Sequence, residues 1–327
     1  VVGNLTLCQQ NHTVTNSGSN RGVIEFVADS PAYIDCNESN WYGDDGGGDF
    51  GIELQTNIDN NTIMNCNFHD YGYGVYADCA SGGGKCLRNK FFDNTFNSSS
   101  NDQIYLVDYC EYFEFINNTL INGGRHGIQL AAHNDYNNFT GNNITNNGNA
   151  GGEYGLYVQS AESDWNSFWN NYFNNSNDGY GQAQNWYNVS KLTGRSVLNG
   201  TWVAGNYWSD HSGGDSDGDT ISEVAFSLTN AGTDSAPLTS NYTGGCVVLD
   251  SQFTFGSNAT LDIDVYVNDN LFLCTANHTV TNTVYLNASN VVIQGNGAIV
   301  KGGTGTLFFL NGSFNNVSLL NFTIEGY

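Results

Sequence analysis

Short apolar segments separated by asparagine and glycine recur along the first half of the chain. One series alternates apolar and polar positions at residues 51–54, 74–77, 103–106, 127–130 and 155–158. A second series ends at Phe68, Phe96, Leu120, Ile144 and Phe173, so successive copies lie 28, 24, 24 and 29 residues apart. A short strand that repeats at a period of roughly 20–50 residues is typical of a solenoid, in which each turn buries its apolar face by stacking on its neighbours.

The second series carries asparagine at one repeated position. The members are Asn94, Asn118, Asn142, Asn171 and, further on, Asn206, whereas the first copy has Cys66 there. Strands of neighbouring turns lie about 4.8 Å apart, so each side-chain amide can donate to the next one and accept from the previous one. The pattern therefore predicts an all-β solenoid with an internal asparagine ladder.

The repeat divides the chain into three regions. Residues 1–180 carry the β-helix rungs, and residues 181–245 lose them. The middle region is rich in Ser, Gly and Asp over 209–223, which indicates a capping segment or a long insertion with an acidic loop. A new apolar strand pattern over 246–327 predicts a second β-helix start that could serve as an inter-subunit docking segment.

One motif occurs twice at long range. Residues 7–16 read LCQQNHTVTN and residues 273–282 read LCTANHTVTN, which agree at eight of ten positions at an offset of 266 residues. Leu319–Ile324 also fits the pattern of Ile63–Phe68, and the sequence stops where a next rung is expected. Because unpaired strand edges aggregate unless they are capped or paired, we expect this edge to pair with another subunit or to continue in a longer tandem array.

The charge balance excludes several classes of partner. The formal net charge is −24, from 32 Asp and Glu against 8 Lys and Arg. Binding of nucleic acid needs clustered basic residues, so this class is excluded, and polyanionic polysaccharides would be repelled. No run of 18 apolar residues is present, so we expect no membrane span. No basic stretch followed by an apolar one opens the chain, so any secretory signal is expected to be gone already.

Asparagine accounts for 50 of the 327 residues, and Asn-x-Ser/Thr occurs about twice as often as this composition would give by chance. The excess predicts N-linked glycans on an extracellular, cell-surface protein, although strands rich in Asn and Thr also generate such motifs by themselves. The 18 motif asparagines are Asn4, Asn11, Asn37, Asn60, Asn97, Asn117, Asn138, Asn143, Asn174, Asn188, Asn199, Asn241, Asn258, Asn277, Asn287, Asn311, Asn316 and Asn321.

Eight cysteines, none of them in a CxxC pair, predict disulfides in an exported protein. Sequence alone leaves 105 connectivities open. The pairs that proximity along the chain favours are Cys79–Cys86, Cys8–Cys36 and Cys246–Cys274, with Cys66–Cys110 left over.

At this point the chain resembles the NosD-type family, also described as carbohydrate-binding and sugar-hydrolase repeat proteins and common in archaeal surface proteins. The resemblance rests on Ile293–Ile299, on the Asn-Asn-Thr and Asn-Asn-Ile rungs, and most specifically on Gly205–Asp219. It covers most of residues 20–225 and again 260–327, and it implies a right-handed parallel β-helix with rungs of about 24–29 residues. Family members usually continue after the Asp run with Gly-Asp and Pro, where this chain reads Thr220–Glu223, so we expect a different cap.

The acidic loop is a candidate metal site. Asp215, Asp217 and Asp219 alternate with small residues, and Glu223 follows. Alternate carboxylates on a Gly-containing loop can wrap a hard cation that takes six to eight oxygens, so Ca²⁺ is the candidate cofactor. Asp210 would join the ligands if the loop folds back. A solvated acidic loop is the alternative, and the spacing does not match an EF-hand.

Catalysis has weaker support in the sequence. A hydrolase needs two or three converging carboxylates, and a lyase needs a basic proton acceptor. Only Arg125–His126 offers a basic pair, and the acids that could converge lie at different rung positions. These acids are Asp70, Asp78, Asp108 and Asp164. We therefore expect no enzymatic activity.

The sequence thus predicts a secreted, glycosylated structural protein of a cell-surface layer, sheath or filament, which assembles with itself head to tail through the ends of its solenoid. Surface polysaccharide is a second candidate partner. The alternative function is a carbohydrate-binding or polysaccharide-cleaving β-helix, since aromatic residues at the turns could stack on sugars or else pack in the core. These aromatic residues are Trp41, Tyr42, Trp165, Trp169, Trp186 and Tyr187.

Overall fold

The computed structural model describes residues 3–14, 22–26, 31–44, 48–80, 83–148, 152–182, 184–216, 219–230 and 232–240, followed by separate strands between residues 246 and 325. Regular structure in these residues is β-strand, and none of them forms a helix that could cross a membrane. The chain divides into two compact units, an N-terminal unit of Val1–Gly213 with Ile221–Thr239 and a C-terminal unit of Gly214–Thr220 with Ser240–Tyr327.

Two parallel sheets build the N-terminal unit, which confirms the predicted parallel β-helix. The thirteen-stranded sheet contains Gly3–Thr6, Asn11–Thr13, Ala32–Tyr42, Thr62–His69, Lys90–Phe92, Thr95–Asn97, Glu114–Ile116, Thr119–Ile121, Asn138–Thr140, Asn143–Thr145, Ser167–Trp169, Tyr172–Asn174 and Tyr207–Trp208. The eight-stranded sheet contains Gly22–Phe26, Phe50–Gln55, Tyr73–Asp78, Ile104–Asp108, Ile128–Ala132, Leu156–Val158, Gly179–Gly181 and Thr229–Asn230.

The thirteen-stranded sheet bends into two faces at a corner. Thr62–His69 spans this corner: its first half pairs with Lys90–Phe92 and its second half with Thr95–Asn97. Smaller pairs are the parallel Cys86–Leu87 with Cys110–Glu111, and the antiparallel Leu192–Thr193 with Trp202–Val203 and Phe226–Ser227 with Thr233–Asp234. Each turn therefore contributes one strand to each of three faces, and the apolar side chains meet between them.

Like side chains stack along the axis to form the core. Phe91, Phe115, Phe139 and Phe168 are fully buried, and their successive ring centroids lie 4.6, 4.9 and 4.9 Å apart. Stacking at the rung spacing follows from the parallel register, which places equivalent residues directly above one another.

The predicted asparagine ladder is confirmed at the corner of the thirteen-stranded sheet. Each asparagine donates both its backbone N–H and its side-chain Nδ2–H to Oδ1 of the asparagine in the next turn, at 2.8–3.1 Å. The ladder runs through Asn94, Asn118, Asn142, Asn171 and Asn206, all of which are buried. Cys66 keeps its place in the row because its backbone N–H donates to Asn94 Oδ1 at 3.0 Å.

The residue before Cys66 and the residue before each of the first four ladder asparagines turn the corner in the left-handed region. These residues are Asn65, Asp93, Asn117, Gly141 and Asn170, with φ between 52° and 70°. Asn, Asp and Gly tolerate this conformation better than other residues. One short motif, a turn residue followed directly by the ladder residue, therefore specifies both the corner and the ladder.

The stack extends beyond the residue 180 boundary expected from the repeat. Tyr207–Trp208 pairs with Tyr172–Asn174, and Thr229–Asn230 pairs with Gly179–Gly181. Trp208 stacks on Phe173 at 4.3 Å inside the core. The segment that lost the sequence repeat therefore still adds rungs to both sheets.

The C-terminal unit also contains parallel sheets. Its five-stranded sheet contains Thr260–Leu261, Leu271–Phe272, Asn277–Val280, Val292–Gly302 and Ser318–Glu325, and its three-stranded sheet contains Val265–Val267, Val284–Leu286 and Phe308–Leu310. An antiparallel pair, Cys246–Val247 with Thr254–Phe255, precedes them.

The strand registers of the C-terminal unit reproduce those of the first turns of the N-terminal unit. The register Leu5↔Ile34↔Ile63 is matched by Leu271↔Ile293↔Leu319, and His12↔Trp41↔Phe68 is matched by His278↔Val300↔Ile324. On the other sheet, Phe26↔Leu54 is matched by Leu286↔Leu310. The two copies of the NHTV motif thus lie at equivalent places in two copies of the same strand arrangement.

Candidate functional site: the tyrosine-lined face

The outward side of the eight-stranded sheet carries an unusual column of side chains. One register line joins Glu25, Glu53, Tyr76, Tyr105, Gln129, Tyr157, Tyr180 and Thr229 across eight turns. The neighbouring positions of each strand point inward and are apolar, as strand alternation requires. We call this surface the tyrosine-lined face.

Glycine at the start of its strands lets the turns approach closely. A Cβ built at Gly51, Gly74 or Gly127 would lie 2.6–2.7 Å from a backbone carbonyl oxygen of the next turn. The recurring glycine of the first sequence series is therefore a packing requirement of this face.

Aromatic rings gather in two clusters on the face. In the first cluster, Tyr76 stacks on Phe50 at 4.4 Å, and Tyr73 lies 5.8 Å from Tyr105. In the second, Tyr157 stacks on His126 at 4.5 Å and lies 5.6 Å from Tyr154 and 5.1 Å from Tyr180. These tyrosines are half-buried, so each keeps part of its ring and its polar end at the surface.

Gln129 lies in the register line between the two clusters. Its Nε2 donates to Gln159 Oε1 at 2.9 Å, whereas its Oε1 is buried and has no hydrogen-bond partner within the protein. Only 4% of Gln129 is exposed. A buried acceptor without a partner costs about 1–3 kcal/mol, and a ligand hydroxyl could satisfy Gln129 Oε1 only if the side chains that cover it moved aside.

Arg125 and Asp102 lie beside this position. Asp102 is fully buried, its Oδ1 accepts the backbone N–H of His126 at 2.8 Å, and Arg125 Nη1 lies 3.7 Å from its Oδ2. Burial raises the pKa of Asp102 to about 6, which outweighs the opposing hydrogen bond and the Arg125 charge. Burial and the Arg125 charge together lower the pKa of His126 to about 4.

This chemistry favours binding over catalysis at the face. His126 is neutral at pH 7, and its Nδ1 already accepts the Tyr154 backbone N–H at 2.9 Å, while Asp102 has no exposed oxygen. The buried oxygens of Asp102 cannot exchange a proton with a molecule on the surface. Half-exposed rings flanked by an amide and a guanidinium instead suit an uncharged polyhydroxyl ligand.

The acids considered for catalysis are arranged differently from the sequence interpretation. Asp78 and Asp108 are register partners on neighbouring strands, so they do align in a column. His133 Nδ1 lies 2.9 Å from Asp108 Oδ1, and its Nε2 lies 3.6 Å from Glu162. Asp78 and Asp108 each end a strand of the eight-stranded sheet, and this shared position is the sequence signal that could have identified the pair. Asp70 and Asp164 lie elsewhere.

The acidic loop is described only in part. Asp215 is buried, and its Oδ2 accepts the Thr220 backbone N–H at 2.8 Å. Asp217 lies outside the described residues, whereas Asp219 is half-buried and Glu223 is exposed. Among the residues that the structure describes, no three His, Cys, Asp or Glu side chains come together as a metal site. The calcium site stays a prediction.

The disulfides correct part of the cysteine assignment. Cys79–Cys86 is present as predicted, but Cys36 bonds to Cys66, so the expected Cys8–Cys36 and Cys66–Cys110 pairs are wrong. Cys36 and Cys66 are 30 residues apart and lie on neighbouring strands with Cα atoms 4.9 Å apart, because one turn of the solenoid brings them together. Cys8 is an exposed free thiol and Cys110 a buried one. The Cys246–Cys274 pair lies outside the described side chains.

The sequon asparagines differ from the ladder asparagines in burial, because the ladder asparagines are buried and the described sequon asparagines are not. Of the eleven whose side chains are described, none is buried and none lies on a strand of the eight-stranded sheet. These eleven are Asn4, Asn11, Asn37, Asn60, Asn97, Asn117, Asn138, Asn143, Asn174, Asn188 and Asn199. The side chains of the other seven lie outside the described residues. Glycosylation stays a prediction, and the tyrosine-lined face carries no described sequon.

The family model described as "Periplasmic copper-binding protein (NosD)" matches residues 9–213, which is more than half of the chain. Copper prefers imidazole and sulfur ligands. In the described residues, Met64 sulfur is taken by the Tyr33 hydroxyl at 2.8 Å, and Cys110 contacts the Cys79–Cys86 disulfide. His126 is buried with its Nδ1 occupied. No three His, Cys, Asp or Glu side chains come together in the part of the chain that the structure describes, so these side chains do not fit a copper site.

Two other comparisons with known proteins give no further functional information. No curated protein matches the chain. A solved structure, "Crystal structure of Agl-KA catalytic domain", is 11% identical and aligns with 99% of this chain and 62% of that one at a TM-score of 0.28, which is too low to carry an argument. The matched family is periplasmic and the two disulfides suit an oxidising compartment, which indicates an exported protein. The extent of the family match and the parallel β-helix together show that the chain belongs to the NosD family.

Proposed function

We propose that this protein is a structural component of a cell-surface layer, sheath or filament, and that its solenoid is extended end to end by further copies of the same rungs. The repeated register carries the proposal: the C-terminal unit has the strand pairings of the first three turns of the N-terminal unit. Because the same strand pairings form in both units, the strands of one copy of the protein could pair in the same way with those of another copy.

The N-terminal unit indicates what the last strand of the C-terminal unit can accept. Thr62–His69 pairs on its far side with Lys90–Phe92 and Thr95–Asn97. Its equivalent, Ser318–Glu325, pairs with Val292–Gly302 and, among the described residues, with no other strand. By analogy with Thr62–His69, the far side of Ser318–Glu325 would take a further strand through main-chain hydrogen bonds.

The C-terminal unit likewise indicates that a further strand can be added before the first strands of the N-terminal unit. Asn277–Val280 is preceded in its sheet by Thr260–Leu261. Its equivalent, Asn11–Thr13, pairs with Ala32–Tyr42 alone in the described part of the sheet. Because the two open edges differ, their contact would be heterologous and would propagate as a filament or a ring.

The distribution of sequons supports a surface location. Glycans at the described sites would cover the thirteen-stranded sheet and the turns, while the core and the ladders stay free of them. The formal charge of −24 would keep such a surface hydrated and separate from nucleic acid.

Deletion of residues 246–327 tests the proposal. The full-length chain should form particles that grow with concentration, measured by light scattering and electron microscopy, and the deleted chain should stay monomeric. Circular dichroism of the deleted chain is the control for folding of the remaining solenoid. A full-length chain that stays monomeric at millimolar concentration would exclude end-to-end assembly.

Carbohydrate binding is a second candidate, because Gln129 Oε1 lacks a partner between two clusters of tyrosine rings. Trp165 and Trp186, exposed at 43% and 50%, offer further rings at a corner, whereas Tyr187 is buried. Calorimetry with neutral polysaccharides should show binding that Gln129→Ala weakens and that Asn143→Ala, on another face, leaves unchanged. Cleavage would instead require Asp78 and Asp108, and unchanged turnover in Asp108→Asn would exclude their part in it.

A further inference from the structure

Three sulfur atoms meet inside the N-terminal unit. Cys79 and Cys86 form a disulfide, and Cys110 Sγ lies 3.3 Å from Cys79 Sγ. All three residues are fully buried. We propose that these cysteines form a thiol–disulfide exchange site, in which Cys110 attacks Cys79 and the disulfide moves from Cys79–Cys86 to Cys79–Cys110.

The backbone holds the three residues within reach of one another. Cys86 and Cys110 are register partners on neighbouring parallel strands, which places their Cα atoms about 4.8 Å apart. The Cα atoms of Cys79 and Cys86 lie 5.5 Å apart. Disulfides span Cα separations of about 4.4–6.8 Å. For the new bond itself, Cys110 Sγ already lies 3.3 Å from Cys79 Sγ, so a short movement of these two sulfurs brings them to bonding distance.

Hydrogen bonds to the next turn fix this arrangement. The backbone N–H of Cys79 donates to the Asp108 carbonyl oxygen at 3.1 Å, and that of Cys110 donates to Asn134 Oδ1 at 3.1 Å. The backbone N–H of Cys86 donates to the Tyr109 carbonyl oxygen at 3.1 Å. Two main-chain acceptors and one asparagine side chain thus hold the backbone of the three residues in the Cys79–Cys86 state.

The exchange is balanced within the protein. Cys110 loses its S–H proton, and the thiolate forms a bond with Cys79 Sγ. The Cys79–Cys86 bond breaks, and Cys86 leaves as a thiolate that takes up the proton. The number of disulfides is unchanged, so the step needs neither an oxidant nor a reductant.

The surroundings favour the thiol that the exchange releases. The Gln55 carbonyl oxygen lies 2.9 Å from Cys86 Sγ and can accept its new S–H. Cys110 Sγ lies further from its carbonyl neighbours, at 3.5 Å from Asp108 and 3.6 Å from Ala77. A better acceptor for the Cys86 thiol shifts the equilibrium toward Cys79–Cys110.

The rate should depend on pH. Burial raises the pKa of the Cys110 thiol well above its ordinary value, so the attacking thiolate is rare at neutral pH. Since the thiolate is the nucleophile, the rate should rise about tenfold per pH unit below that pKa.

The exchange changes what the disulfide connects. The Cys79–Cys86 bond spans seven residues, whereas Cys79–Cys110 spans 31 residues and joins successive turns. Cys36–Cys66 already joins two turns in this way. The site would thus add a second covalent link along the axis of the solenoid.

Trypsin offers a direct test, because cleavage after Lys85, Arg88 and Lys90 puts the three cysteines on separate peptides. Folded protein is incubated at pH 6 and at pH 8.5, free thiols are trapped with N-ethylmaleimide in acidic denaturant, and linked peptides are identified by mass spectrometry. We expect a Cys79–Cys110 link with labelled Cys86, which appears faster at pH 8.5. Because residues 22–85 carry Cys36, Cys66 and Cys79 on one tryptic peptide, the linked peptides are sequenced by fragmentation, and an intact Cys36–Cys66 bond is the internal control that does not rearrange.

Two variants make the outcome decisive. Cys86→Ser should form the Cys79–Cys110 disulfide in air, and Cys110→Ser should retain only Cys79–Cys86. The proposal is overturned if, of Cys79, Cys86 and Cys110, the parent protein labels only Cys110 at both pH values. It is also overturned if folded Cys86→Ser keeps both remaining thiols free. The labelling of the parent protein decides the question even where a variant folds poorly.

Discussion

Asp234 accepts the backbone N–H of Asn206 at 2.8 Å, and its buried carboxylate ends the ladder of side-chain amides that runs from Asn94. The indole N–H of Trp208 donates to the same oxygen at 2.9 Å, and the backbone N–H of Ala236 donates to the other at 3.1 Å. Every asparagine in the ladder passes donors on to the next turn, so the last one needs a group that only accepts. A carboxylate meets that need.

Replacing Asp234 with asparagine should therefore destabilise the fold. The new amide Nδ2–H would face the N–H groups of Asn206 or Ala236, and at least one donor would lose its acceptor. Hydrogen bonds to a buried charged acceptor contribute about 1.5–3 kcal/mol each, so we expect a loss of about 3 kcal/mol in the free energy of unfolding, measured by chemical denaturation. An unchanged free energy of unfolding would show that the ladder needs no carboxylate at its end.

The interior of the ladder should be equally sensitive. Asn142 Nδ2 donates to the Phe115 carbonyl oxygen at 2.8 Å and to Asn171 Oδ1 at 2.9 Å. Asn142→Leu removes these two bonds and also removes the acceptor for the backbone N–H and one Nδ2–H of Asn118, at a cost of about 1–3 kcal/mol. Asn143→Leu, at the exposed neighbouring position, is the matched control in protein made without glycosylation. Equal free energies of unfolding for the two variants would contradict a stabilising role for the ladder hydrogen bonds.

The sequence predicted this ladder because its asparagines recur two residues before a core aromatic or aliphatic residue. The same signal was present, and missed, in Asn137, Asn166 and Asn185, which form a second ladder and precede Phe139, Phe168 and Tyr187 by two residues. Its asparagines are 29 and 19 residues apart, so the ladder is not found when the repeat is assumed to have a constant length.

Pairings between turns were harder to predict than the turns themselves. Cys36 meets Cys66 because one turn there takes about as many residues as their separation, and this length varies between turns. Neighbourhood along the chain identifies only links within a turn, such as Cys79–Cys86. The tyrosine-lined face depends on the same stacking, since Tyr105 and Tyr157 meet Gln129 only through register.

The buried Asp102 should make stability depend on pH. Its folded pKa is about 6 against an ordinary 3.8, so between these values the folded protein holds a proton that the unfolded chain has lost. Stability from this group is therefore present at low pH and is lost as pH rises through about 6. The free energy of unfolding of Asp102→Asn, relative to the parent, should fall by about 2–3 kcal/mol from pH 7 to pH 4.

The comparison between variant and parent separates Asp102 from His126. The pKa of His126 is lowered to about 4, so its effect on stability has the opposite sign over the same pH range. Asp93→Asn, at an exposed corner whose equivalents are already asparagine or glycine, controls for the loss of one surface charge. A difference between Asp102→Asn and the parent that does not change with pH would refute the assignment.

Glycosylation should follow the outward positions of the thirteen-stranded sheet. Glycopeptide mapping of native protein should find glycans at exposed sites such as Asn117 and Asn143. Thr119→Ala removes the first motif without touching the buried Asn118, so it should eliminate that glycan and change the free energy of unfolding by less than about 1 kcal/mol. Unmodified peptides at every described sequon would refute a glycosylated surface.

Calcium at the acidic loop is tested by chelation. If Asp215, Asp217, Asp219 and Glu223 bind Ca²⁺ only in the folded protein, removal of the ion lowers stability by RT ln(1 + [L]/Kd). At calcium a hundredfold above Kd this amounts to about 2.7 kcal/mol, so excess chelator should lower the Tm and added calcium should restore it. Asp219→Asn should weaken the response to calcium, whereas Asp93→Asn, away from the loop, should keep it. An unchanged melting curve with chelator would leave Asp215 as the acceptor for Thr220 and the loop as a solvated acidic segment.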